Sequence, residues 1–168
     1  LTIDWETVCP KNELNYIMGN PPFVGHQWRS ASQVADMDKV FFDWETYGKL
    51  DYVAAWYKKG FDFIKSTNTK CAFVSTNSIC QGESVSVMWK PLFEDGLQID
   101  FAYRTFRWDS ESNLKAHVHC VIVGFSCHAE LFSASPKYIF DEKENKTEAK
   151  NINGYLLDAP NIFIQNRG

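Results

Sequence analysis

In the run Tyr16-Ile17-Met18-Gly19-Asn20-Pro21-Pro22-Phe23, a short apolar stretch ends at a glycine and turns at once into Asn-Pro-Pro-aromatic. Two consecutive prolines fix φ and remove two backbone donors, so Asn20 sits in a stiff corner with free acceptors at the end of a strand. Phe23 stands just beyond it. A rigid pair of acceptors beside an aromatic plane suits the exocyclic amine of a planar base. Asn-Pro-Pro is also an ordinary way to leave a strand, so the reading depends on a hydrophobic strand directly before it, which residues 14–18 supply. Sixteen positions upstream of Asn20 stands Asp4-Trp5, a carboxylate followed by an aromatic. That pair is either a ligand contact or a surface turn residue beside a core ring.

The elements that must position these residues alternate. Residues 14–18 form a strand, and residues 32–47 a weakly patterned helix. Asp51 is placed to N-cap a helix whose Val53, Trp56, Tyr57, Gly60 and Ile64 share one face, with Lys58, Lys59, Asp62 and Lys65 on the other. Residues 71–75 are a short continuous apolar run, as in a strand covered on both faces. Residues 84–93 read as a second helix with Gly96 as its stop. Residues 97–103 and 117–125 are two further strands joined by a polar loop. This order is half of a doubly wound (Rossmann-like) α/β sheet that ends in an antiparallel hairpin.

Composition bounds the possibilities. With 168 residues, 45% of them apolar, the chain can bury one core. A net charge of −4 supplies no basic footprint, which argues against a self-sufficient nucleic-acid binder. The five cysteines form no C-x-x-C pair, and neither a signal peptide nor a long apolar span is present. Free thiols in a reducing cytoplasm are the expectation. The chain opens on Leu1 inside what reads as a strand end, as a piece of something longer would.

Asn20-Pro21-Pro22-Phe23 resembles the catalytic motif of amino-methyltransferases, which methylate adenine N6 in DNA and, in some relatives, glutamine side chains. Further blocks resemble one branch in order: Gly48-Lys49-Leu50-Asp51-Tyr52-Val53-Ala54-Ala55-Trp56-Tyr57, Ala72-Phe73-Val74-Ser75-Thr76-Asn77-Ser78-Ile79, Gln81-Gly82-Glu83, Phe101-Ala102-Tyr103-Arg104-Thr105-Phe106-Arg107-Trp108, and Ala116-His117-Val118-His119-Cys120-Val121-Ile122-Val123-Gly124-Phe125-Ser126. That branch is the methyltransferase module of single-chain restriction–modification enzymes, type IIG/IIL or MmeI-like. The resemblance covers residues 1–126.

The resemblance implies a cofactor, S-adenosyl-L-methionine, and roles for the residues. The catalytic group is Asn20, Pro21, Pro22 and Phe23. The Asn20 side-chain oxygen and a backbone carbonyl at Pro21 each accept one N–H of the target amine. Phe23 stacks on a base extruded from double-stranded DNA. Phe106 closes the base's second face, with Trp108 as the competing candidate and a core aromatic as the structural alternative. Asp4 and Trp5 hold the cofactor's adenine, with Asn20 and Pro21 also at the cofactor. The family's glycine-rich cofactor loop and its ribose-binding acid are expected before residue 1. The chain is therefore expected to be the C-terminal half of the catalytic domain, inactive alone, with residues 127–168 a connector toward a target-recognition domain.

Smaller expectations concern single residues. Asn77 and Ser78 either line the target pocket or cap a turn. Arg104, Arg107 and Lys115 touch phosphate or lie in a solvated loop. His117 and His119 share a strand face without a third ligand, so structural histidines are favoured and no metal is expected. Two rivals to DNA adenine stay open: a protein glutamine, whose amide suits the same acceptors, and a non-catalytic DNA-binding scaffold. Cytosine N4 is a lesser one, because those enzymes more often carry Ser where Asn20 stands. A cytoplasmic location with no membrane partner is expected.

Overall fold

The computed structural model describes residues 1–108, 118–127 and 136–163, and of Trp108 the backbone alone. Six strands form one sheet in the order β1-β2-β4-β3-β5-β6. Strand β1 (Tyr16–Gly19) pairs in parallel with β2 (Lys70–Thr76), Gly19 opposite Phe73. The hairpin strands β3 (Leu97–Trp108) and β4 (Val118–Cys127) are antiparallel, and β4 inserts between β2 and β3. The two expected hairpin strands are thus present and longer at their described ends. His117, Lys115 and the hairpin loop lie outside the described residues.

The sheet does not stop at that hairpin. Within the segment expected to be a connector, β5 (Lys137–Phe140) pairs in parallel with β3, and β6 (Lys146–Ala149) runs antiparallel beside β5. Beyond β6, Ile152 and Leu156 are buried. Gly154 lies so close to Trp89 that a Cβ there would approach its ring to 2.8 Å.

The helices pack on the sheet and on one another. Helix α1 (Ala31–Val40) starts in a capping box: the Ser30 hydroxyl accepts the Gln33 N–H, and Gln33 Oε1 accepts the Ser30 N–H. The helix expected to run to Tyr47 ends at Val40. There Phe41 turns in and is fully buried, with Trp44 and Tyr47 gathered around it at 4.8 and 5.4 Å between ring centroids. Burying Phe41 under two half-buried aromatics outweighs a few more weakly patterned helical turns.

Helix α2 (Ala54–Ile64) buries Tyr57, Phe61 and Ile64 against β2. Its side chain assigned to the solvent face, Lys58, is buried instead; Asp62 and Asp43 lie 2.6 and 3.6 Å from its ammonium. Two carboxylates replace the water that a lysine loses on burial. The second predicted helix, over residues 84–93, is a run in three pieces: α3 (Gly82–Ser84), a π-helical turn Val85–Trp89, and α4 (Lys90–Glu94). Pro91 withholds a donor and crowds the preceding turn, which widens to accommodate it. The run stops at Gly96, whose φ of 97° only glycine adopts readily.

Helix α2 and the run over residues 82–94 cover the face of Cys71, Phe73 and Ser75, where Val121, Val123 and Phe125 of β4 also lie, and α1 packs on α2. The Tyr57 ring meets Phe73, Trp89 and Phe125 there at 5.4–5.6 Å. The alternate residues of β2, expected to be covered as well, are half-buried. That second face carries Phe101, Tyr103 and Phe106, with the Phe101 ring laid over Gly124. Among the described residues no helix is long and apolar enough to cross a membrane.

Candidate active site

Strands β1 and β2 run the same way, and β4 runs against them, so one edge of the sheet collects several candidate residues. It holds the end of β1 at Gly19, the end of β2 at Thr76, the start of β4 at Val118 and the end of β3 at Trp108. Ligands of open α/β sheets bind at the carboxyl ends of the parallel strands. Asn20 to Phe23, Asn77, Ser78 and Phe106 are all brought to this edge.

Strand β1 ends because the next residues cannot continue a ladder: Pro21 and Pro22 have no N–H to donate. Asn20 is exposed, and among the described residues nothing hydrogen-bonds its carboxamide. Pro21 is buried, Pro22 exposed and Phe23 half-buried. The corner is thus seated by one buried proline between an exposed amide and a half-buried ring.

The loop beyond the corner is anchored. The Tyr52 N–H donates to the Val24 carbonyl at 2.9 Å. The His26 N–H donates to Asp51 Oδ1 at 2.9 Å, and the Ser78 hydroxyl donates to Asp51 Oδ2 at 2.6 Å. Asp51 was expected to cap α2, but its carboxylate turns away from that helix, and only its backbone carbonyl accepts the Ala54 N–H. Ser78 in turn shares a hydrogen bond of 2.7 Å with Thr76 at the end of β2. The loop after Phe23 is thereby tied across the end of β2, toward β4 and β3. The Ser78 hydroxyl thus bonds two side chains, Asp51 and Thr76, rather than a backbone group of its own turn.

Phe106 pairs with Cys120, which pairs with Thr76. It is half-buried, and its ring meets Tyr103 edge-on at 5.3 Å between centroids. Three strand spacings, about 14 Å, separate β1 from β3. A base touching both Phe23 and Phe106 would lie across the sheet edge, and the tied loop leans in that direction.

Asp4 and Trp5 lie apart from this corner in their bonding. Asp4 is exposed and caps a short turn by accepting the Glu6 N–H at 3.0 Å. Trp5 is half-buried, 6.1 Å from the Trp56 ring and 5.6 Å from Phe63, with the Lys59 ammonium 5.2 Å from its centroid. Lys59 also donates to the Leu1 and Ile3 carbonyls. Arg104 and Arg107 are exposed, as is His119. Among the described residues no group of His, Cys, Asp and Glu is placed to hold a metal ion. The five cysteines are free thiols. Burial pushes the Cys71 thiol up to about 12 and that of Cys80 to about 11.

Sheet order, the inserted antiparallel strand and a polar corner at the carboxyl edge together define an α/β fold of the methyltransferase class. Residues 1–141 match the family described as MmeI, DNA-methyltransferase domain, and the chain belongs to that family. It is 40% identical over 169 residues to DNA methyltransferase A of Bacillus subtilis (strain 168), a match covering 99% of this chain and 19% of the relative. The type IIL restriction–modification enzyme MmeI, solved in complex with DNA, superposes with a TM-score of 0.87 at 42% identity, over 96% of this chain and 22% of that one. A type I restriction–modification methyltransferase subunit from Streptococcus thermophilus shares the fold, with a TM-score of 0.56 at 21% identity over 84% of this chain and 29% of that one. The chain spans about a fifth of the length of its two more similar relatives.

Proposed function

We propose that this chain is the target-base half of the catalytic domain of a DNA methyltransferase, acting on adenine N6 within a restriction–modification enzyme. The observation that carries the reading is the Asn20 carboxamide, exposed and unengaged among the described residues, fixed beside Phe23 at the carboxyl edge of the sheet. DNA as partner and methylation as activity come to this chain from its relatives' names and its membership of the family.

The chemistry asked of these residues is limited. An exocyclic adenine amine is a poor nucleophile because its lone pair is delocalised into the ring. Asn20 Oδ1 and the Pro21 carbonyl, which accepts no backbone hydrogen bond among the described residues, each take one N–H. Two acceptors in that geometry favour the tetrahedral amine, in which the lone pair points outward. Because the corner is rigid, the acceptors need no reorganisation as charge develops. Phe23, with Phe106 across the edge, holds the plane of the extruded base.

S-adenosyl-L-methionine would supply the methyl group. Asp4 and Trp5 fit one edge of it: an exposed carboxylate can accept from an adenine amine, and a half-buried ring can lie against the purine. Asn20 and Pro21 would border its reactive end. In this reading the remaining cofactor contacts come from sequence other than this chain. Strands β5 and β6 extend the catalytic sheet, so in this reading the connector toward a target-recognition domain begins after Ala149. The aromatic pair favours a base over a protein glutamine, which has no ring to stack.

Product analysis tests the reading. The intact parent protein is incubated with labelled S-adenosyl-L-methionine and duplex DNA, and the nucleosides are separated. Label in N6-methyladenine supports it. Label in N4-methylcytosine, or in protein glutamine with unlabelled DNA, rejects it.

A further inference from the structure

The Asp51 side chain is 19% exposed, and each of its oxygens has its own partner outside α2. Oδ1 accepts the backbone N–H of His26 at 2.9 Å; Oδ2 accepts the hydroxyl of Ser78 at 2.6 Å. The neighbouring peptide repeats the grip, with the Tyr52 N–H on the Val24 carbonyl at 2.9 Å. Val24 directly follows Phe23, and between Asn20 and Gly25 no residue joins a strand or helix. The stiffness that two prolines give the corner is local; it does not say where the corner points. Its direction over the sheet is set by what grips residues 24 and 26.

We propose that Asp51 is a positioning residue of the methyl-transfer site, tying the loop behind Phe23 to the end of β2 so that Asn20 and Phe23 face the extruded base. The proposal rests on the reading of Asn20 to Phe23 as the target-amine site. A carboxylate suits the task because both partners are donors, and charge-assisted bonds of this length are the stronger kind. The partners come from segments 25 and 27 residues away in opposite directions along the chain. One side chain thus joins the loop after β1 to the turn after β2. Asparagine can imitate the arrangement: its oxygen still accepts from His26, and its amide can donate to Ser78 Oγ, because a hydroxyl serves either role. Alanine can do neither.

The test uses the intact parent enzyme with its own duplex substrate, carrying 2-aminopurine at the target base for the fluorescence arm. Asp51→Ala is expected to lower the single-turnover methylation rate roughly 10- to 100-fold. DNA and cofactor affinities should stay within roughly threefold of wild type, a change of less than 1 kcal/mol. The 2-aminopurine emission of the bound complex should change, reporting altered stacking on Phe23. Asp51→Asn should restore most of the rate, and Ser78→Ala should fall between. A merely structural role predicts something else: Asp51→Ala would lose DNA and cofactor binding together, its folded fraction would turn over at the wild-type rate, and asparagine would not rescue. That pattern overturns the proposal. Asn20→Ala runs beside these variants. If it is dead while Asp51→Ala is unimpaired, the clamp alone is wrong. If Asn20→Ala itself keeps the wild-type rate, the site reading falls and the clamp falls with it.

Discussion

Replacing Gly60 with alanine opposes two well-understood effects, and the structure decides between them. Gly60 lies in the middle of α2, where alanine is better by about 1 kcal/mol through helix propensity. A Cβ at this position, however, would stand 3.0 Å from Phe73 Cε2 and 3.2 Å from Cζ, closer than packed carbons approach. The ring would have to give by a few tenths of an ångström. It has little room: Phe73 is 2% exposed, with Tyr57 at 5.4 Å and Phe125 at 5.8 Å between centroids. Overpacking of this kind costs about 1–3 kcal/mol, so Gly60→Ala should be destabilising by about 1 kcal/mol net.

The displacement also has a direction. The opposite edge of the Phe73 ring is 3.6 Å from where a Gly19 Cβ would be, and Gly19 precedes Asn20. A shift of the ring is therefore made beside the strand end that leads into Asn20, since Gly19 is the register partner of Phe73. Chemical unfolding of wild-type and Gly60→Ala parent protein measures the first effect, and single-turnover methylation measures the second. Phe73→Leu should cost less in the Gly60→Ala background than in wild type, because the smaller side chain relieves the contact. Stabilisation of the single variant by about 1 kcal/mol, as at an exposed helix site, would refute the packing argument.

The same geometry fixes other outcomes. Gly124→Ala places a Cβ 2.0 Å from Phe101 Cε1, so the ring must leave the sheet; loss of at least about 2 kcal/mol and faster amide exchange in β3 and β4 are expected. Tyr57→Phe removes a buried hydroxyl that donates to the Phe73 carbonyl at 3.1 Å and shares a bond with Ser75; thermal unfolding should show a loss of about 1–2 kcal/mol. Burial raises the Asp100 carboxyl above its ordinary 3.8, while Ser126 satisfies one oxygen and the other has no partner among the described residues. The folded state thus binds this proton more tightly than the unfolded state. Its contribution is favourable below 3.8 and is lost as pH rises through the raised folded value. Asp100→Asn should therefore gain melting temperature relative to wild type as pH rises from 3 toward neutrality, and a constant difference would count against this assignment. Cys71 and Cys80, both buried with raised thiols, should resist alkylation at about pH 8 until the protein is unfolded.

The corner at Asn20 was legible because everything that makes it is local: two prolines, a glycine and an apolar stretch in eight consecutive residues. Helix α2 was legible from its periodicity, yet Lys58 fell on the wrong face, since Asp43, one of the two carboxylates that let it be buried, is fifteen residues upstream. Asp51 shows the same limit more sharply. An acid just before a helical pattern reads as a cap, and nothing nearby reveals that donors from two distant turns outbid the helix for it. Strands β5 and β6 are four residues each and, apart from the buried Ala149, half-buried or exposed, so they carry little pattern of their own. Their pairing depends on the edge that β3 offers. The π-helical turn was foreshadowed by Pro91, but whether the helix breaks, kinks or widens there is settled by packing, with the Trp89 indole N–H held by the Ile79 carbonyl at 2.7 Å.

The central claim is that the Asn20 carboxamide accepts from the target amine. Its most direct test is the single-turnover rate of methyl transfer from labelled S-adenosyl-L-methionine to duplex DNA by the intact parent protein, beside its Asn20→Ala variant. The account predicts label on adenine N6 in wild type and a fall of at least about a hundredfold in the variant, with DNA still bound. A variant that methylates DNA at the wild-type rate would contradict it.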